Sequence, residues 1–470
     1  MRKPRVGLLV LFVPFYEKIV KLRREKEIFA MATSRRLAEE VEVVWPGMVA
    51  SVEEARVARE LFLREEVDAV VVAPSLAVFG ALGWAALESL DVPVAIWSIQ
   101  PAFRVPDRYD IGELIRNSGN LGAEALANTL ARAGQFFRTA FSTADAPVPK
   151  RLIAFLRAAA VAAAVRRGVF GRIGSGFAQM TDVQMDTEAW ARATGSRVVD
   201  ISAAEFTESY LARTAREVQT RAGEMKAAHP IEAISEDELL RSARLSLALD
   251  EVVARHGLDG GAFNCHGENC LQNPAIGVTA CYGVSKQTTE GRPFSCTGDL
   301  PTAVALYIMK CLTGSAIYAE LDFVDPVADF VILANGGEAD FCAAAGPVHL
   351  AGNENFAGIH GRGASPRMNA AAGRATLLSF TPLDRAGRYR MIAGAGSTLL
   401  DHSISGLGVF HQALRFKGVE AVRAFELWCD AGAVHHLALA PGDWIAELRL
   451  IAEMLHFEFV QIGGGLAAER

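Results

Sequence analysis

Short, unbroken apolar runs between long charged stretches constrain this chain most. Val6 to Phe12 is one such run, Ala69 to Ala73 a second and Val92 to Trp97 a third. A strand with one wet face alternates between apolar and polar residues, whereas a continuously apolar strand has both faces covered. Between the runs, Lys18 to Glu39 and Val52 to Glu66 read as charged helices. Alternating strands and helices predict a parallel sheet covered on both faces. Ligands in such sheets bind beyond the carboxyl ends of the strands. Here those ends carry Val13 to Tyr16, Pro74-Ser75 and Ser98 to Pro101, and a further helix is expected to start at Asn117-Ser118-Gly119-Asn120.

Two segments imitate membrane or export signals. Met1 to Arg5 is basic and precedes an apolar run, but Tyr16, Glu17 and Lys18 follow where a small-residue cleavage site would lie. A buried first strand is the expectation. The uncharged stretch Ala69 to Leu87 contains Pro74, Ser75, Gly80 and Gly83, which divides it into strand, loop and helix rather than one spanning helix. The formal net charge of −7 argues against a general nucleic-acid binder. Seven cysteines in 470 residues are too sparse and too odd for a disulfide framework, so a reducing, cytoplasmic setting is expected.

Further along, Gly171 to Gly176 resembles a phosphate loop but lacks the Lys-Ser/Thr pair, and a glycine turn after a strand is the plainer reading. The α/β style continues through a strand at Arg197–Ile201 and a long helix at Glu236–His256. From about Phe323 it gives way to short strands at Phe330–Leu333, Ala375–Phe380 and Arg388–Ile392, separated by glycine turns. The expected architecture is two Rossmann-like parallel-sheet α/β domains followed by a smaller β-rich, barrel-like C-terminal domain. A helix near Trp444–Leu455 and a strand at Glu458–Ile462 close the chain.

Candidate chemistry gathers in a few places. The stretch Phe263 to Cys270 contains Cys265, His266, Glu268 and a second cysteine, with Cys281 and Cys296 beyond it. A zinc site would draw on Cys265, His266 and Cys270, but the spacing is no zinc-knuckle pattern, and small buried cysteines beside a cleft are the simpler expectation. Thr297 or Asp299 is placed to cap a helix from Pro301 to Leu312. Glu320 ends an apolar stretch, where a carboxylate is expensive unless paired or coordinated. Asp322, Asp325 and Asp329 read as a solvated turn. His349, Glu354 and His360 fall in a Gly/Asn-rich loop. Asn335 to Glu338 leaves polar groups at a strand end, and the adjacent His435 and His436 point in different directions on any regular element.

These motifs, in this order, resemble the L-fucose/L-arabinose isomerase family over nearly the whole chain. Cys296 to Leu306 is similar to the family's Glu-Gly-Asp segment and the helix after it. Glu320 matches its second metal-binding acid, and Ala431 to His436 its Gly-Ala-His-His signature. Gly373 to Leu377 and Gly387 to Arg390 resemble strands of its C-terminal domain. Gly174 to Asp186, with Gly195 to Val199, resembles the start of its second domain. The resemblance implies three domains, here 1–170, 171–313 and 314–470, and a homo-oligomer (trimer or hexamer) with sites at subunit contacts. It also implies a divalent metal, usually manganese (Mn2+), and proton transfer between adjacent carbons of an open-chain sugar through an enediol.

Two departures alter the expected site. The family's first acid corresponds to Thr297, and one of its histidine ligands to Asn335. Glu320 with His435 or His436 is left to hold metal, and Asp299 stands two residues past Thr297 as a substitute acid. His349 or Glu354 would enter from the loop. The family's histidine-bearing loop in the first domain corresponds to Asn117 to Asn120. Glu320 and Asp299 are thus the expected catalytic residues, and Thr297, Asn335 and Asn117 the expected substrate contacts. The reading is a metal-dependent aldose–ketose isomerase with a carbohydrate substrate and no nucleic-acid or membrane partner. The alternatives are a metal-dependent sugar-acid lyase or decarboxylase, and a metal-free carbohydrate-binding or regulatory protein.

Overall fold

The computed structural model describes residues 3–105, 107, 109–267, 270–353, 363–399 and 409–464. Among the sequence expectations, Glu268, Glu354 and His360 lie outside the described residues. The chain divides into two compact units, 2–163 and 164–470.

In the first unit the apolar runs become parallel strands. They are β1 (Arg5–Leu11), β2 (Glu42–Val44), β3 (Met48–Val49), β4 (Ala69–Pro74), β5 (Val94–Gln100) and β6 (Phe137–Thr143). The order is β2-β1-β4-β5-β6, with β3 extending the pairing of β1. Every residue of β4 is buried, as expected for a strand with helices on both sides. Leu9, Val70, Val72 and Ile96 pack with Phe62 and Leu126 of the flanking helices. The uncharged stretch from Ala69 resolves into β4 and the helix Gly80–Leu87. Strand β6 has the sequence FRTAFST and is an edge strand with two exposed residues.

The second unit contains a four-stranded parallel sheet and a barrel. The parallel strands are β7 (Val169–Ile173), β8 (Arg197–Ile201), β10 (Gly260–Phe263) and β11 (Phe294–Ser295), in the order β11-β10-β7-β8, while β9 (Ile231–Glu232) belongs to a separate small sheet. Six later strands close a ring by antiparallel pairing. These are β12 (Ile317–Asp325), β13 (Phe330–Ala334), β16 (Gly373–Pro382), β17 (Tyr389–Leu399), β18 (His411–Phe416) and β19 (His436–Pro441). Around the ring they run β16-β19-β12-β13-β18-β17, and β16 pairs β17 to complete it. Strand β20 (Glu458–Ile462) adds in parallel to β17. His349, read as a loop residue, opens the strand β14 (His349–Gly352) between β9 and β15 (Ala364–Arg367), and its ring meets Glu232 at 2.6 Å.

Period-two alternation decides which barrel residues face inward. Ile317, Ala319, Leu437 and Leu439 fill the barrel core with Val331 and Leu333. Their neighbours Tyr318, Glu320 and His436 therefore project from the outer face. Among the described residues, no helix is long and apolar enough to cross a membrane.

Candidate active site

A cavity of about 760 Å³ opens in the second unit, within the range of small-molecule sites. One wall is the outer face of β12, β13 and β19. The other is the turns leaving the carboxyl ends of β10 and β11, with residues such as His266, Cys296 and Thr297.

Register creates the central pair. Glu320 lies directly opposite His436 on antiparallel neighbours, so the two side chains share a face. His436 Nε2 lies 3.2 Å from Glu320 Oε1. The imidazole's other nitrogen, Nδ1, donates to Asp299 Oδ2 at 2.7 Å. Asp299 and His436 are both almost wholly buried. Burial opposes charge on His436, but its hydrogen bonds to Asp299 and Glu320 outweigh that cost and push the imidazole up to about 9.

Asp299 also performs the capping expected from the sequence. Its Oδ1 accepts from the backbone N–H of Thr302 at 2.9 Å, at the start of the helix Leu300–Thr313. The chain reaches this cap through two left-handed residues, Thr297 (φ +55°) and Gly298 (φ +75°). A Cβ on Gly298 would sit 2.8 Å from the Cα of Gly176, so only glycine fits there.

Other expected residues fall as follows. Thr297 lines the cavity, and its hydroxyl donates to its neighbour's carbonyl, Cys296 O, at 2.8 Å. Asn335 also lines it, but its amide is committed to the turn, donating to Tyr318 O and Glu338 O and accepting from Gly337 N–H. His435 lies at the mouth, half exposed, with Nδ1 2.5 Å from Asp182 Oδ2. Asn117 belongs to the first unit, where it ends the helix Ile111–Arg116, accepts from Ala102 N–H and donates to Glu113 O.

Three groups at the cavity were not singled out from the sequence. Glu338 is buried in the wall, and burial pushes its carboxyl upward. The Tyr318 ring lies tilted against that of His436 with centroids 4.9 Å apart, and burial raises its phenol well above the usual range. Asp322 was expected in a solvated turn. It sits at a bulge in β12 between Leu321 and Phe323 and lines the cavity, where burial and then the charge of Glu320 raise its carboxyl. Period-two counting from Glu320 places Asp322 on the same face and was the available signal.

The donors fit a divalent cation of the kind the family resemblance implies. Glu320 and His436 offer an oxygen and a nitrogen to one cavity. Asp299 holds the second imidazole nitrogen, as the outer carboxylate of a metal-bound histidine does. The mutual repulsion of Glu320 and Asp322 is the charge that a cation offsets.

No family model matches the chain. Over 237 residues it is 25% identical to the L-arabinose isomerase of Yersinia enterocolitica serotype O:8, and the same figures hold for that of Yersinia pestis. The alignment covers 48% of this chain and 45% of the relative, so the chain spans about half the length of the curated relatives it matches. Solved structures with local likeness include a solute-binding protein from Burkholderia multivorans (15% identity, 64% of this chain, 97% of that chain, TM-score 0.16). Another is a periplasmic solute-binding protein from Actinobacillus succinogenes with bound D-allose (14%, 62%, 84%, TM-score 0.15). Likeness at that level says nothing about what this chain binds. The sequence match supports a distant relationship to a sugar isomerase and no finer assignment.

Proposed function

We propose that the protein is a metal-dependent aldose–ketose isomerase acting on an open-chain sugar or sugar derivative. The observation that carries this reading is the relay Asp299···His436···Glu320 on one wall of a sugar-sized cavity. Glu320 and His436 would hold the cation, manganese by the resemblance. When bound, it would polarise the substrate carbonyl and stabilise negative charge developing on its oxygen. Glu320 takes the proton from the carbon beside the carbonyl and returns it to the neighbouring carbon, giving an enediol between the two transfers. Asp299 lies behind His436 and does not line the cavity, so it acts by fixing the imidazole. Tyr318 and His436 present their rings to the cavity and restrict water near the reacting carbons.

Incubation with manganese and a panel of aldoses and sulfo-sugars in deuterated water tests the reading. Deuterium should enter a substrate beside its carbonyl, and Glu320→Ala should abolish the exchange while the fold persists. Absence of exchange across the panel, with metal bound, would refute it. A second reading, a metal-dependent lyase or decarboxylase on a sugar acid, is favoured by Thr297, which supplies no carboxylate where the family has one. Carbon–carbon cleavage without solvent exchange would select it.

A further inference from the structure

A second donor cluster sits on the opposite wall of the cavity, away from the Glu320–His436 pair. Cys265 and Cys296 leave the carboxyl ends of the adjacent parallel strands β10 and β11, whose register pairs Ala262 with Ser295. Their sulfurs are 3.2 Å apart. His266 Nε2 is 4.0 Å from the Cys296 sulfur, and the three donor atoms all lie within 4.8 Å of one another. The His266 ring is set edge-on against Phe177. Glu338 lines the same cavity. Cys270, which the sequence offered as the third zinc ligand, is engaged elsewhere, with its thiol donating to Val278 O at 2.7 Å.

We propose that Cys265, Cys296 and His266 form a binding site for a zinc-type cation. Tetrahedral zinc with ordinary sulfur and nitrogen bond lengths separates its donors by about 3.6–3.8 Å. The 3.2 Å and 4.0 Å separations differ from that range by about half an ångström, so a cation needs side-chain shifts of that order. Two thiolates with an imidazole select a borderline-soft ion such as zinc over manganese or magnesium, which prefer oxygen. Strand topology supplies the site: residues far apart in sequence are brought together because β10 and β11 are neighbours. The proposal stands whether or not the isomerase reading holds, since it uses none of Glu320, Asp299 or His436.

Full-length protein, stripped with chelator under reductant and reloaded with zinc alone, should retain one zinc per chain after desalting. Cobalt in its place should give a thiolate-to-cobalt charge-transfer band in the near-ultraviolet. The retained zinc and the band should both vanish in Cys296→Ser and in His266→Ala. The second variant alters a partly exposed side chain and guards against a folding defect in the first. Both signals should survive in Glu320→Ala, which separates this site from the isomerase metal. Overturning results are cobalt bound without the charge-transfer band, zinc retained undiminished in a folded Cys296→Ser or His266→Ala protein, or no zinc retained by the reduced wild type.

Discussion

Replacing Asp299 with Asn isolates the ion pair behind His436. The carboxylate caps the helix Leu300–Thr313 with one oxygen and accepts from His436 Nδ1 with the other. Asparagine caps a helix about as well as aspartate, so the first bond is preserved. The second is not, because an amide carries no charge and can meet Nδ1 with its N–H. In metal-free protein His436 titrates near 9 instead of 6.5. A shift of that size corresponds to about 3 kcal/mol of coupling between protonation and folding. The folded-state value is raised, so this stabilisation is complete below the unfolded value of 6.5 and is lost as the pH rises through 9. Asp299 supplies the larger of the two favourable hydrogen bonds, so Asp299→Asn should remove about 2 kcal/mol at pH 6 and little above pH 10. The imidazole, left with Glu320 as its partner, should then titrate well below 9. Nuclear magnetic resonance of the His436 ring in chelated protein reads the shift, and denaturant unfolding at pH 6 and pH 10 reads the stability. With metal present, affinity should fall about 10- to 100-fold, because the imidazole loses the partner that fixes its tautomer. An unchanged His436 titration, or a stability loss equal at both pH values, would refute the argument and leave Asp299 as a helix cap alone.

Four further predictions concern other positions. Lys310 and Asp340 form a buried pair at 2.6 Å, and the carboxylate also accepts from the backbone N–H groups of Ala316 and Cys342. Lys310→Met strands that charge and should cost about 3–5 kcal/mol by denaturant titration; a loss under 1 kcal/mol would contradict it. Thr297→Gly relieves a β-branched residue at φ +55° and should stabilise by about 1 kcal/mol. Thr297→Glu restores the family's acid and should raise isomerase activity on a common pentose or deoxyhexose, whereas a folded, inactive variant would mean the pocket is organised around threonine. Burial lowers Lys26 to about 8. Between pH 8 and its ordinary 10.5 the unfolded chain binds more protons, so stability should rise with pH across that window by up to about 3 kcal/mol. Lys26→Met should flatten the rise, and a slope unchanged in the variant would disprove the assignment.

Where a sequence signal is local, the fold was legible. Continuous apolar runs marked β1 and β4, and the long helix expected at Glu236–His256 is found over those residues. Strand β6 was obscured because an alternating, partly exposed edge strand looks like a loop. A barrel-like domain was expected and is found, but which strands close it was not legible, since β16 meets β17 and β19 through pairings that no local pattern records.

The site divides along the same line. Glu320 stood out because an acid in an apolar strand demands a partner, and that partner is His436. Asp299 was legible as a cap, but its second role was not. One carboxylate can serve both because the cap uses one oxygen and the direction of the helix turns the other toward β19. Asn335 shows the converse. It occupies a position where the family carries a ligand, yet its three side-chain hydrogen bonds all go to backbone, two within the turn and one to Tyr318 on β12. A neutral amide there holds Glu338 against the cavity wall instead of entering the cavity itself.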